Sequence, residues 1–219
     1  MSLITIPARL QKQAAARADH PAYAEKQNGT WTPVSFGVYG QQVCQVAKSL
    51  IALGFEAGQR ICIIGPNRPE WVLADVGCMT AGGVPAGIYQ TCSPEEVAYI
   101  LNHAEAPIVV VENQLQWEKI LVERDNLSQL RHVVMMRGAA EVSDSMVLSW
   151  DEFLAKGNDV DDAVVQERLS GLKLDDPATF IYTSGTTGPP KAVMLSHRNL
   201  AWTADSALEL VDLLQDDCV

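Results

Sequence analysis

Residues 182–191, YTSGTTGPPK, gather the groups of this chain best suited to chemistry: hydroxyls on Thr183, Ser184, Thr186 and Thr187, two glycines and a closing lysine. Gly185 and Gly188 can take positive φ and let a ligand approach the main chain, so successive amides can converge on one concavity and hold an anion. Pro189 and Pro190 carry no amide proton. The donors must therefore come from the stretch between Ser184 and Gly188, with Lys191 adding a point charge at its end. The chemistry implied is phosphate binding, although an ordinary Ser/Thr/Gly/Pro connection between two strands has the same composition.

The spacing separates this loop from a Walker-type one. That motif needs four residues between its first glycine and a contiguous Gly-Lys-Ser/Thr that opens a helix. Here Gly185 and Gly188 are too close, two prolines stand between Gly188 and Lys191, and AVML at 192–195 reads as a strand. The local plan is a strand over 179–183, the loop, a strand over 191–195, and then a helix.

YTSGTTGPPK followed by AVMLSHRNL resembles the signature phosphate loop of the adenylate-forming superfamily, whose usual form is TSG-Ser/Thr-TG-x-PKGV. NRPEW at 67–71, AGGVPAGIYQT at 81–91 and SPEE at 93–96 are most similar to long-chain acyl-CoA synthetases. Peptide-synthetase adenylation domains more often read TSGSTG and lack that upstream wording. The chain departs from the pattern at Ala192, where the family usually has glycine.

For a complete enzyme the resemblance implies ATP, Mg2+, a fatty acid and coenzyme A, the last as a substrate. It gives Ser184, Thr186, Thr187 and the loop amides, those of Gly185 and Gly188 included, the task of holding the β and γ phosphates. Thr183 matches the position whose hydroxyl joins the Mg2+ shell, and Lys191 offsets negative charge. No catalytic acid, base or nucleophile of the family can be placed in this chain. The family enzymes are more than twice as long, so the sequence reads as the N-terminal part of one. The other readings are a non-catalytic remnant that binds nucleotide phosphates or a partner, and an aryl or amino-acid adenylating enzyme.

The elements that must position the loop follow from patterning. The chain has 219 residues, 47% apolar and 20% charged, enough for a buried core in one globular domain or two small ones. A net charge of -11 argues against nucleic acid as a partner and against a basic membrane-surface patch. Peripheral membrane contact through other surfaces stays open. It also means that anionic ATP needs local donors, which raises the value of Lys191 and oriented amides.

Cys44, Cys62, Cys78, Cys92 and Cys218 form no Cys-x-x-Cys pair, so reduced core thiols are expected rather than disulfides. The four histidines, at 20, 103, 132 and 197, lack zinc-ligand spacing. His197 reads as a packing or surface residue, and Trp71 and Trp202 as packing residues on helices. No apolar leader or eighteen-residue apolar run is present, and a cytoplasmic location is expected.

Residues 3–18 read as a helix, and 21–26 with 31–34 as a hairpin around Asn28-Gly29. A helix over 36–53, capped by Ser35 and stopped at Gly54, would bury Val38, Val43, Val46, Leu50 and Leu53. Apolar runs then begin near Arg60, Val84, Pro107 and His132, each followed by a helix-length segment. This rhythm predicts parallel βαβ units in a sheet covered on both sides. Ser93, Pro94 and Glu96 spell a capping box.

After polar connections at 137–145 and 156–162, a boundary is expected, with the phosphate hairpin opening a second sheet. The last helix would present Leu200, Ala204, Ala207, Leu208, Val211 and Leu214 as one apolar face. The fold class is therefore α/β: a parallel βαβ sheet covered by helices plus the start of a second α/β subdomain, an incomplete large N-terminal domain. Its parts are 1–58 (helices and hairpin), 59–170 (parallel βαβ subdomain) and 171–219 (second subdomain with the phosphate loop).

Overall fold

The structure is a computed structural model that describes residues 3–27, 29–183 and 188–211. Helix α1 (Ile6–Ala16) starts with proline in its first turn, where a missing amide proton leaves no bond unmade. The hairpin of β1 (Pro21–Gln27) and β2 (Thr30–Ser35) follows, with Gly29 at φ 85° in its turn; Asn28 lies outside the described residues. Ser35 then accepts the Val38 amide and opens α2 (Phe36–Ala52), and Gly54 leaves it at φ 79°.

Val43, Val46 and Leu50 of α2 are buried as the helical spacing predicts, and Leu53 packs half-buried beside them. Val38 is not: it is 44% exposed, which corrects the expectation. The stripe through 43, 46 and 50 continues backward to Tyr39, which does pack on the core, while Val38 lies a sixth of a turn or more off that line.

Strands and helices then alternate: β3 (Arg60–Ile64), α3 (Pro69–Thr80), β4 (Val84–Ile88), α4 (Pro94–Ala104), β5 (Ile108–Val111), α5 (Gln114–Val122) and β6 (His132–Met135). β7 (Val147–Ser149), α6 (Trp150–Lys156) and α7 (Asp162–Gly171) lead to β8 (Pro177–Thr183), β9 (Lys191–Ser196) and α8 (His197–Leu210). Among the described residues these strands form one seven-stranded sheet, ordered β7-β6-β5-β3-β4-β8-β9. All neighbours are parallel except β9, which runs antiparallel to β8.

Each face of the sheet has its own core. Ile61 and Ile63 of β3 join α2, α3, α6 and α7 on one face, while Cys62 and Ile64 join α4 and α5 on the other. All four residues are shut off from solvent. Burial of each isoleucine contributes about 1.5–3 kcal/mol, and β3 takes part in the cores on both faces.

The phosphate hairpin does not open a second sheet. β8 lies parallel beside β4, pairing Ala86 with Phe180 and Gly87 with Ile181, and the Thr179 hydroxyl donates to the Pro85 carbonyl at 3.1 Å. Ala178, fully buried, fits β8 against the existing core. The polar stretch read as a boundary is a crossover: α6 and α7 carry the chain from the β7 edge to the far side of β4.

Candidate functional site

The antiparallel pairing of β8 and β9 sets Thr183 directly opposite Lys191, so the two residues stand across the mouth of the connection between them. Directly opposed residues lie about 4.5–5.5 Å apart at Cα. Both are exposed, and Lys191 has no ion-pair partner among the described residues, which leaves its ammonium group available to an anion. Gly188 sits at φ 126° with open space around it, a conformation that L side chains rarely adopt. Ser184, Gly185, Thr186 and Thr187 lie outside the described residues.

Helix α8 follows at once. Ser196 accepts the Asn199 amide at 3.2 Å while Asn199 returns a bond to the Ser196 amide at 3.0 Å, so the junction is capped in both directions. His197 is fully buried there, and neither ring nitrogen has a hydrogen-bond partner among the described residues. Burial holds its pKa below the usual imidazole value, so it packs as a neutral ring.

The second half of α8 departs from the expected apolar face: Leu208 and Val211 are both more than half exposed, and Trp202 is exposed rather than packed. The sheet ends at β9, and the helix that reaches α8 is α1, through the Arg9–Asp205 ion pair at 2.6 Å. Leu214 is outside the described residues.

A crevice of about 600 Å³ opens beside the hairpin, at the carboxyl ends of β3, β4 and β8. Here the chain order reverses: β3 leads through α3 to β4 on one side, and β4 leads through α4 to β5 on the other. Helices α3 and α4 consequently lie on opposite faces, and such a switch point is where open α/β sheets receive ligands. Gly65, Pro66 and Asn67 follow β3 into its rim, and Tyr89 and Gln90 follow β4.

NRPEW owes its local form to this corner. Pro69 starts α3, Arg68 pairs with the buried Glu70 at 2.7 Å and also donates to the Arg137 carbonyl at 2.9 Å. Trp71 lies over Gly87, where an added Cβ would meet its ring at 3.2 Å. Its ring packs against the core, as expected, and also walls the crevice.

Sequence reasoning missed Asp75, which lines the same crevice from α3. Burial pushes its carboxyl up to about 7. No hydrogen bond or ion pair to it is made by any described residue. The available signal was spacing: Trp71, Asp75 and Met79 recur every four residues, placing one acid on an otherwise apolar stripe. The cysteines at 44, 62, 78 and 92 are free, and burial pushes the Cys62 thiol up to about 12, which makes it inert.

The profile of the AMP-binding enzyme family matches residues 10–218. The chain belongs to the AMP-binding enzyme family. It is 40% identical over 96% of its length to the long-chain-fatty-acid–CoA ligase ACSBG2 of Xenopus laevis, covering 28% of that protein. To the human protein of the same name it is 37% identical over 92% of its length, covering 30% of the relative. The chain thus spans less than a third of the length of these relatives.

Solved structures agree on the fold. A fatty acyl CoA synthetase of Mycobacterium tuberculosis superposes with a TM-score of 0.74 at 20% identity, over 95% of this chain and 38% of that one. A long-chain-fatty-acid CoA ligase described from Rhodopseudomonas palustris gives 0.78 at 16% identity, over 98% and 50%. The mostly parallel sheet with helices on both faces is the fold this chain shares with these two structures.

Proposed function

We propose that this chain is the phosphate-gripping region of an AMP-forming long-chain fatty acid–CoA ligase. The observation that carries the reading is the Thr183–Lys191 pair at the mouth of the hydroxyl-rich loop, beside the switch-point crevice. Membership of the AMP-binding family and the names of the relatives supply the substrates: ATP, a long-chain fatty acid and coenzyme A.

In the first step a fatty carboxylate oxygen attacks the α phosphorus of ATP. The bond from that phosphorus to the bridging oxygen breaks, and pyrophosphate leaves with the electron pair. In the second step the thiol of coenzyme A, giving up its proton to solvent, attacks the acyl carbonyl carbon through sulfur, the bond to the phosphate oxygen breaks, and AMP leaves. The loop serves the first step. Charge builds on the departing pyrophosphate, and the Lys191 ammonium group, exposed at the mouth of the loop, stands where it can offset that charge.

Mg2+ suits the hairpin as a ligand held mainly by phosphates and waters. Among the described residues no cluster of three or more His, Cys, Asp or Glu side chains could hold a metal ion, and magnesium sites on nucleotides need only one or two protein oxygens. The exposed Thr183 hydroxyl, across from Lys191, is the protein oxygen we assign to that shell. When bound, the ion supplies neutralisation of the β and γ oxygens. A cytoplasmic site of action fits the reduced thiols, and among the described residues no helix is long and apolar enough to cross a membrane.

The test is Lys191→Ala in the full-length protein, with the half-reactions followed separately. Fatty-acid-dependent pyrophosphate release should slow on the order of a hundredfold, while thioester formation from preformed acyl-AMP stays near wild type. Equal loss in both half-reactions would refute the assigned role. Palmitate outcompeting benzoate and amino acids in pyrophosphate release separates this reading from aryl or amino-acid adenylation.

A further inference from the structure

The strand that launches the phosphate loop is poorly tied to the sheet at its working end. Among the described residues β8 pairs with β4 only through Phe180 and Ile181, so Tyr182 and Thr183 run past the end of that ladder with β9 as their strand neighbour. What joins this end to the body is a side chain. Tyr182 is 5% exposed and packs among the α4-side core residues, next in sequence to Thr183.

Its hydroxyl, which a buried tyrosine must satisfy, meets Nδ1 of His103 at 2.9 Å. The two rings are edge-to-face with centroids 5.7 Å apart, and Tyr99 stacks on the far side of His103, also at 5.7 Å. Helix α4 is a firm support for this bond. The Ser93–Glu96 capping box fixes its start, and Arg60 donates to the Ala104 carbonyl at its end. His103 sits one residue before that anchored carbonyl.

We propose that His103 is a positioning residue for nucleotide binding: through Tyr182 it holds the end of β8, where Thr183 stands opposite Lys191, beside the crevice. The proposal rests on reading residues 184–188 as the phosphate loop. His103 touches no substrate; it acts through the tyrosine ring. A hydrogen bond from a side chain on α4, more than seventy residues earlier in the chain, thus sets how well the loop meets ATP.

The test uses the full-length protein with His103→Ala, Tyr182→Phe, the double variant and His103→Asn, whose amide can reach the former Nδ1 position. The KM for ATP should rise roughly fivefold in each of the first two, the factor one net hydrogen bond is worth, with kcat and the KM for fatty acid and coenzyme A within about twofold of wild type. The double variant should be no worse than either single one, and His103→Asn should recover most of the loss. Additive losses, an unmoved KM for ATP, or lowered thermal midpoints with unchanged kinetic constants would overturn the proposal.

Amide hydrogen exchange separates its failure from failure of the underlying reading. If Lys191→Ala leaves adenylation intact, the loop is not the phosphate site; exchange at 183–191 must still quicken in His103→Ala and Tyr182→Phe if the tether exists. Unchanged exchange there would eliminate the tether whatever the loop binds.

Discussion

Strands β3 and β9 belong to one sheet and are solvated in opposite ways. Ile61, Cys62, Ile63 and Ile64 of β3 are wholly buried between two layers of helices, whereas on β9 Val193 is 45% and Met194 67% exposed. The centre is held by apolar burial on both faces. The β8–β9 corner is held by main-chain pairing, by the capped start of α8 and by the Tyr182 ring. The difference teaches where this chain tolerates change: the central strip determines whether it folds, while the corner, proposed above as the phosphate grip, leaves apolar side chains in water.

Truncation at the centre should have the largest effect. Ile63→Ala removes a fully buried side chain packed on every side and should lower unfolding free energy by about 2–5 kcal/mol, read as a shift of the urea midpoint. A loss below about 1 kcal/mol would mean the central strip is less tightly packed than its burial indicates.

Asp75 comes next, and its effect depends on pH. Burial raises its pKa to about 7 from 3.8, so the folded chain keeps the proton through a window in which the unfolded chain has released it. Stability therefore falls as pH rises through that window, and the penalty is fully present above it. Asp75→Asn should be more stable than wild type at about pH 8 by roughly 2 kcal/mol at most, less than the full shift because the carboxyl keeps some solvent contact, and should gain nothing near pH 4. A gain of equal size at both pH values would contradict the cause given.

Removing the cap of α4 is a smaller perturbation. Ser93→Ala frees one helix-start amide and should cost about 1 kcal/mol in the same urea assay. Met194→Ala closes the series: an exposed side chain on the edge strand should change stability by less than about 0.5 kcal/mol. A destabilisation of Met194→Ala matching that of Ile63→Ala would erase the contrast between the two regions.

Much of this architecture was legible in the sequence because it is written in local terms. The runs at Arg60, Val84, Pro107 and His132 became β3 to β6, since strands buried on both faces carry unbroken apolar residues. Ser35, Ser93 and Ser196 became helix caps, since one hydroxyl and its spacing suffice to mark a helix start.

What could not be read depends on residues far apart in the chain. That β8 docks against β4 is decided by a fit between Ala86, Gly87, Phe180 and Ile181, across more than ninety intervening residues. Val147–Ser149 forms a three-residue strand, too short to show a period. Of the candidate site, Thr183 and Lys191 fall at the two ends of the connection between β8 and β9 as the spacing implied, and Gly188 lies within it at positive φ. Asp75 stayed hidden because its meaning comes from a crevice whose walls are spread from Gly65 to Leu200.

The central claim is that the hydroxyl-rich hairpin grips the departing pyrophosphate, and a crystal structure of the full-length protein with ATP and Mg2+ tests it most directly. The β and γ phosphates should then lie within hydrogen-bond distance of the amides of residues 184–188, with the Lys191 ammonium group beside them and the Thr183 hydroxyl in the Mg2+ shell. Phosphates bound elsewhere, with the hairpin untouched, would contradict it.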